Sequence, residues 1–204
     1  VVNGPLWCYF FAMRHIEHSQ STISHRMICT QLDNDAIVFG AEEYLREALA
    51  PYAAEPPLLL AIISSCAAGL IGDDIEAIAR GAGLSCPIAV LDSSGLSGSF
   101  ADGWDKAACA VLSAFLPEQR AGQANAVNLI GVTSAYYNGE NDAHELMRLL
   151  ALAGYHVNVA LGCDMSAADL SGLTQAALNI VVHDELGGGA ARLLAETCGM
   201  PCIA

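Results

Sequence analysis

Apolar and polar positions change period along this 204-residue chain, and in its second half they do so regularly. Residues 126–132 (AVNLIGV) form a short apolar run of β type, followed by a polar stretch over 133–141. Residues 142–154 then repeat at helical spacing, with Leu146, Leu149, Leu150 and Ala153 on one face, and stop at Gly154. Residues 156–161 read as a second strand. Ser166 reads as the cap of a helix reaching about residue 177, with Asp169 three positions on as the return partner of a capping box. Residues 179–183 (NIVVH) make a third strand. A Gly187-Gly188-Gly189 turn should lead into a helix ending near Cys198, and residues 200–203 open a fourth strand. Strands alternating with helices of this length predict right-handed crossovers and a parallel sheet.

The first half follows the same grammar less evenly. Residues 10–27 read as a helix, 36–39 (AIVF) as a short strand and 42–49 as a helix. Pro56-Pro57 punctuates the chain before 58–65 (LLLAIISS), a continuous apolar strand of the fully buried kind. A turn containing Cys66 leads to a helix over 74–80, and 88–91 form another strand. The small-residue loop 92–103 precedes a helix over 104–116. Residues 117–125 (PEQRAGQAN) are polar and carry Pro and Gly, which makes them the expected boundary between domains 1–124 and 125–204. The fold class expected is α/β, with two Rossmann-like parallel-sheet domains. No repeat at solenoid periods is present.

Composition narrows the function. The chain is 54% hydrophobic and carries a formal net charge of −14 with a single lysine, Lys106. Such apolar content excludes a disordered chain. The acidity argues against binding to nucleic acid or anionic membrane, both of which need basic clusters. The longest apolar stretch, 56–69, is too short to span a bilayer. No secretory signal opens the sequence; Val1 is not an initiator methionine, so upstream processing, excision or truncation is allowed for. Eight cysteines in mostly apolar settings suit a reducing cytoplasm, with burial as their default role.

Cys66 stands apart because it follows a buried strand and precedes a helix, the place where ligands meet open parallel sheets. A helix start also favours the thiolate, the metal-binding form. Asp73 and Asp74 fall at the next helix start, where capping alone would account for them. Cys8 follows an Asn3-Gly4-Pro5 turn, and Cys29 precedes the polar TQLDND segment. These three cysteines lie 21 and 37 positions apart, unlike compact zinc or ferredoxin motifs. Spacing alone is weak support for a metal site.

Their contexts add more. NGPLWC at Cys8, CTQLDNDAIVFGAEEYLREAL at Cys29 and SSCAAGLIGDDIEAIAR at Cys66 resemble, in order, the component 1 family of nitrogenases. That family includes nitrogenase α and β subunits, cofactor-assembly scaffolds, the dark-operative protochlorophyllide reductase and the nickel-tetrapyrrole reductive cyclase. SGSFADGWD at 97–105, LNIVVH at 178–183 and the GMP turn at 199–201 extend the resemblance over nearly the whole chain. The resemblance implies that Cys8, Cys29 and Cys66 ligate an iron–sulfur cluster, of 4Fe–4S type or larger. A cubane wants four protein ligands, so three imply a cluster at an interface, completed by a related subunit or a second copy. An ATP-dependent iron-protein reductase is the implied electron donor. A third α/β domain is the family norm, so the resemblance implies a truncated or fragmentary member with that domain missing.

Departures from the family pattern matter as well. The cysteine that anchors the catalytic metallocluster in the α subunit would fall after LNIVVH, where Asp184 stands. Its histidine and glutamine neighbours would fall at Asp102 and Gly98. Three readings therefore remain open: a nitrogenase-like oxidoreductase subunit passing low-potential electrons to a substrate, which is favoured; a non-catalytic metallocluster assembly scaffold; and a metal-free two-domain solute-binding module. Smaller candidates are His15, His18 and His25 on the first helix, either a relay or a solvated face. The glycine run at 187–189 is either an anion nest or a plain turn. Ser94, Ser97 and Ser99 lack a nucleophile elbow. Cys198 and Cys202 straddle a helix end and a strand, and Tyr136, Tyr137 and Asn138 stand where a ligand would enter.

Overall fold

Parallel strands form two separate sheets, as the alternation of elements predicts. The computed structural model describes residues 1–17, 23–92, 94–115 and 122–204, in two units, Val1–Ser99 and Phe100–Ala204.

The first unit contains β1 (Val2–Asn3), α1 (Leu6–Ile16), a 3₁₀ turn (Ile23–Arg26), α2 (Asn34–Phe39), α3 (Glu42–Leu49) and α4 (Pro51–Ala54). These are followed by β2 (Leu60–Ser64), α5 (Cys66–Ile71), α6 (Ile75–Gly81) and β3 (Ile88–Leu91). The strands run in the order β1-β2-β3, all parallel. Leu60 and Ile62 on one face of β2 meet Leu45 and Leu49 of α3 and Ile75, Ile78 and Ala79 of α6 in one buried cluster. Each large aliphatic side chain buried there contributes about 1.5–3 kcal/mol. β1 is too short to leave a periodic signal and is placed by main-chain bonds. Ile63 and Ser65 donate to the carbonyls of Val1 and Asn3, both at 2.9 Å. On its other side Val2 donates to Ile28 O at 2.8 Å and accepts from Thr30 N–H at 3.1 Å, so residues around Cys29 form a parallel bridge with Val2.

Two expectations for this unit are corrected. AIVF is not a strand: it lies within α2, because the Asp33 carboxylate caps Ala36 N–H at 2.9 Å and Gly40, at φ 108°, stops the helix. Local capping overrides the β-branched run, and only Ala36 of those four is buried. The helix expected over 10–27 begins earlier, at Leu6, and ends at Ile16; His18 lies outside the described residues. Cys66 itself opens α5, with the Ser65 hydroxyl oxygen accepting from Ala68 N–H.

The second unit contains α7 (Phe100–Ala114), β4 (Gln123–Ile130), α8 (Gly139–Leu152), β5 (His156–Ala160) and α9 (Ala167–Leu170). A 3₁₀ turn (Leu173–Gln175), β6 (Ala176–Val181), α10 (Asp184–Cys198) and β7 (Cys202–Ile203) complete it. Its parallel strands run β5-β4-β6-β7, so the order switches direction at β4, as in Rossmann-like sheets. α7 packs along α10 and groups with this sheet, whereas the sequence pattern carried the first domain to residue 124. A polar row crosses the buried sheet. Asn158 Nδ2 donates to Asn128 Oδ1 at 2.9 Å, and Asn128 Nδ2 donates to Asn179 Oδ1 at 2.8 Å and to Leu173 O at 2.9 Å.

The glycine run at 187–189 is not a turn before a helix but part of α10. A methyl on Gly187 would lie 2.5 Å from Gly131 N and 2.7 Å from Gly131 Cα. The glycines let the helix backbone close onto the end of β4, and Asp105 of α7 accepts from Gly189 N–H at 3.0 Å and Ala190 N–H at 3.1 Å. The helix expected from Ser166 to about 177 is the short α9 followed by the 3₁₀ turn, with β6 starting at Ala176. Ser166 does act as expected, donating from its N–H and its hydroxyl to Asp169 Oδ2, both at 2.7 Å.

Candidate metal centre

Three neighbouring parallel segments of the first unit end at one edge of its sheet, and each brings a cysteine there. Cys8 lies in the first turn of α1, behind β1 and the Gly4-Pro5 turn, with its N–H on Pro5 O at 3.0 Å. Cys29 sits on the segment bridged to Val2. Cys66 heads α5 directly after β2.

Gly4 touches Cys29, lies beside Cys8 and packs against Ser65, the residue before Cys66. The Cys29 thiol donates to Gly4 O at 3.2 Å. A methyl built on Gly4 would lie 3.7 Å from Cys8 Cβ and 2.5 Å from the Cβ of Ser65, the residue before Cys66. Gly4 N–H donates to Thr30 Oγ1 at 2.9 Å, and the buried Thr30 hydroxyl donates to Asn3 Oδ1 at 3.1 Å. A side chain at position 4 would collide with Ser65 and push the segment that leads into Cys66 away from the Gly4-Pro5 turn. Sequence reasoning took Gly4 as a turn residue alone; its packing role depends on Ser65, far along the chain.

All eight cysteines are free, with Cys8 and Cys66 exposed and Cys29 half-buried. Burial pushes the Cys29 thiol above its ordinary range; the Gln31 N–H on its sulfur opposes that shift and the nearby Cys8 adds to it. Among the described residues no three His, Cys, Asp or Glu side chains are grouped to hold a single metal ion. A cluster of several irons spreads its thiolates more widely than one ion does, and free thiols on three neighbouring segments are the donor type it takes. The softness of sulfur favours iron–sulfur chemistry over a hard cation.

The other sequence candidates have structural roles or lie elsewhere. Asp74 caps α6 through Ala77 N–H at 2.9 Å, and Asp73 Oδ2 accepts from Ala41 N–H at 2.7 Å. His15 lies on α1 and His25 in the 3₁₀ turn. The Ser97 hydroxyl donates to Ser94 O at 2.8 Å, closing a loop turn, and Ser99 immediately precedes α7. Asp184 is the first residue of α10, Asp102 lies in the first turn of α7, and Gly98 is exposed in the loop before it. Cys163 is buried, Cys86 packs against the core of the first unit, and Cys198 packs with Ala126, Ala176 and Met200. Cys109 is half-buried on α7, whereas Cys202 is exposed on β7 rather than in the core. Tyr136 stands in ring contact with Phe100, which stacks on Trp104. Tyr137 and Asn138 are exposed beside it, an aromatic grouping that the sequence pattern did not reveal. No helix among the described residues is long and apolar enough to cross a membrane.

Comparison with known proteins places these features in a lineage. The family of nitrogenase component 1 type oxidoreductases matches residues 1–204. A light-independent protochlorophyllide reductase subunit from Methylobacterium sp. (strain 4-46) is 31% identical over 166 residues, covering 80% of this chain and 33% of that protein. The nitrogenase molybdenum-iron protein alpha chain of Clostridium pasteurianum is 26% identical over 215 residues, covering 100% of this chain and 40% of that one. The solved structure of nitrogenase Cp1 at pH 6.5 superposes with a TM-score of 0.79 at 26% identity, covering 99% of this chain and 41% of that chain. The chain thus spans 33% and 40% of the length of these two curated relatives. With the match extending over its whole length, the chain belongs to the nitrogenase component 1 type oxidoreductase family.

Proposed function

We propose that this chain is the cluster-holding part of a nitrogenase-like oxidoreductase subunit, with Cys8, Cys29 and Cys66 as ligands of an iron–sulfur cluster. The observation that carries the reading is that the segments bearing these three cysteines meet at Gly4 in a member of this family, with the Cys29 thiol on Gly4 O, Cys8 Cβ beside Gly4 and Ser65, which precedes Cys66, packed against it. A cluster bound there supplies one-electron transfer at low potential. The chain's own part is to present the three sulfurs from three main-chain segments.

A related subunit or a second copy would supply the remaining ligand. α1 supports this: none of its residues is buried, and Trp7, 69% exposed, and Phe11, 65% exposed, lie in ring contact beside Cys8. Exposed aromatic clusters of this kind favour burial against a partner. The net charge of −14 suits docking by a basic face of an ATP-dependent iron-protein reductase.

A scaffold for metallocluster assembly is the second reading, favoured by Asp184 at the head of α10, where the α-subunit pattern has an anchoring cysteine. A metal-free solute-binding module would give no role to the three cysteines on these adjoining segments. Anaerobic purification with iron counting and EPR tests the ligands. Cys8→Ala, Cys29→Ala and Cys66→Ala should each lose most of the iron, and unchanged iron in all three would overturn the assignment. Turnover with a reductase and ATP separates the enzyme from the scaffold, which would hand its cluster to an acceptor protein instead.

A further inference from the structure

Two of the three candidate ligand sulfurs receive a main-chain N–H. Gln31 N–H points at Cys29 Sγ at 3.4 Å, and Gly95 N–H points at Cys66 Sγ at 3.2 Å. Neither donor is a by-product of regular secondary structure. Gln31 holds a left-handed backbone at φ 56°, a conformation that side chains with a Cβ avoid and that Asn or Asp tolerates better than Gln. The side chain is exposed, so core packing does not account for the conformation, and its local effect is to present the N–H to Cys29.

Gly95 reaches its sulfur from a loop braced in two ways. Ser97 closes a turn on Ser94 O through both its N–H, at 2.9 Å, and its hydroxyl. Ser94 Cβ lies 3.2 Å from where a methyl on Gly69 would stand, one turn into the helix that Cys66 opens. A methyl on Gly95 itself would come within 3.4 Å of Cys66 Sγ. Glycine therefore gives the N–H close access and leaves the sulfur uncrowded.

We infer that Gln31 and Gly95 are positioning residues of the metal centre, whose N–H groups orient Cys29 and Cys66 and raise the reduction potential of a cluster bound by them. An N–H donated to a ligand thiolate withdraws negative charge from it, and the reduced, more negative state gains more from that than the oxidised state does. The tuning acts through the two ligands that receive these N–H groups.

This inference rests on the iron–sulfur reading above, and the experiment distinguishes the two. The full chain is reconstituted anaerobically with ferrous iron and sulfide, iron per chain is counted, and the midpoint potential is read by EPR-monitored titration. Gly95→Pro removes one N–H, an ester in place of the amide at position 31, where proline does not fit the left-handed backbone, removes the other, and each should shift the midpoint to more negative values. Gln31→Gly keeps the N–H, relieves the left-handed strain and should retain the wild-type potential. If a proline variant fails to hold iron, an ester in place of the amide at the same position removes the N–H with little change of shape and is titrated instead. Wild-type potentials in iron-replete proteins lacking these N–H groups would overturn the inference while leaving the cluster intact. A wild-type chain that takes up no iron would overturn the cluster reading and this inference with it.

Discussion

Gly4 shows how much one residue can decide. It carries no chemistry, yet the segments bearing Cys8, Cys29 and Cys66 all close on it. A Gly4→Ala methyl would overlap both Ser65 Oγ and Ser65 Cβ, and Ser65 cannot swing away without releasing its cap on α5. The expected cost is about 1–3 kcal/mol, read as a lower urea midpoint, together with reduced iron uptake. In a Ser65→Gly background the same change should cost clearly less, and an equal cost in both backgrounds would remove Ser65 as the cause. Cys163 makes a contrasting case. Burial pushes its thiol to about 11, with Glu140 and Asp164 adding to the shift. Its neutral form is favoured in the fold, so its contribution to stability is complete below the ordinary thiol range and is lost as the pH rises toward that value. Iodoacetamide at about pH 8 should therefore label exposed Cys202 and spare Cys163, as mass mapping of the folded chain would show.

Whole elements were legible where sequence signals agreed with each other. α3 and β3 occupy the residues expected, Glu42–Leu49 and Ile88–Leu91. AIVF misled because β-branched propensity competes with an aspartate cap on one side and a glycine stop on the other, and the caps won. The glycine run misled differently: its glycines serve close approach to Gly131, a neighbour that no local pattern reveals. Gly187→Ala should accordingly destabilise by about 3 kcal/mol, because backbone atoms block the methyl. Gly103→Ala, inside α7 with no atom of the described residues near the added carbon, should instead stabilise by roughly 0.5–1 kcal/mol. Denaturant melts of the two variants, run side by side, check both signs. The asparagine row makes a third test at this scale. Asn128→Ala leaves Leu173 O and Asn179 Oδ1 without their donor and Asn158 without one acceptor, an expected loss on the order of 3 kcal/mol; a loss near zero would mean that the row rearranges at little cost.

Across the molecule, the α/β class and the candidate ligands could be read from the sequence, but by different routes. The class follows from hydrophobic period. The ligands follow from the wording around three cysteines whose spacing alone said little. What stayed hidden was how their segments adjoin, since that lies in main-chain contacts between distant parts of the chain. Val2 bonds to Ile28 and Thr30, Leu32 to Gly4, Ile63 to Val1, and Ser65 to Asn3, all through backbone N–H and C=O groups. Any residue supplies those carbonyls, and any but proline supplies those N–H groups. Side chains along these segments can therefore be exchanged during evolution without moving the sulfurs, provided position 4 stays bare. A framework written in the backbone tolerates deep sequence drift, which accounts for a fold held at a TM-score of 0.79 while identity falls to 26%.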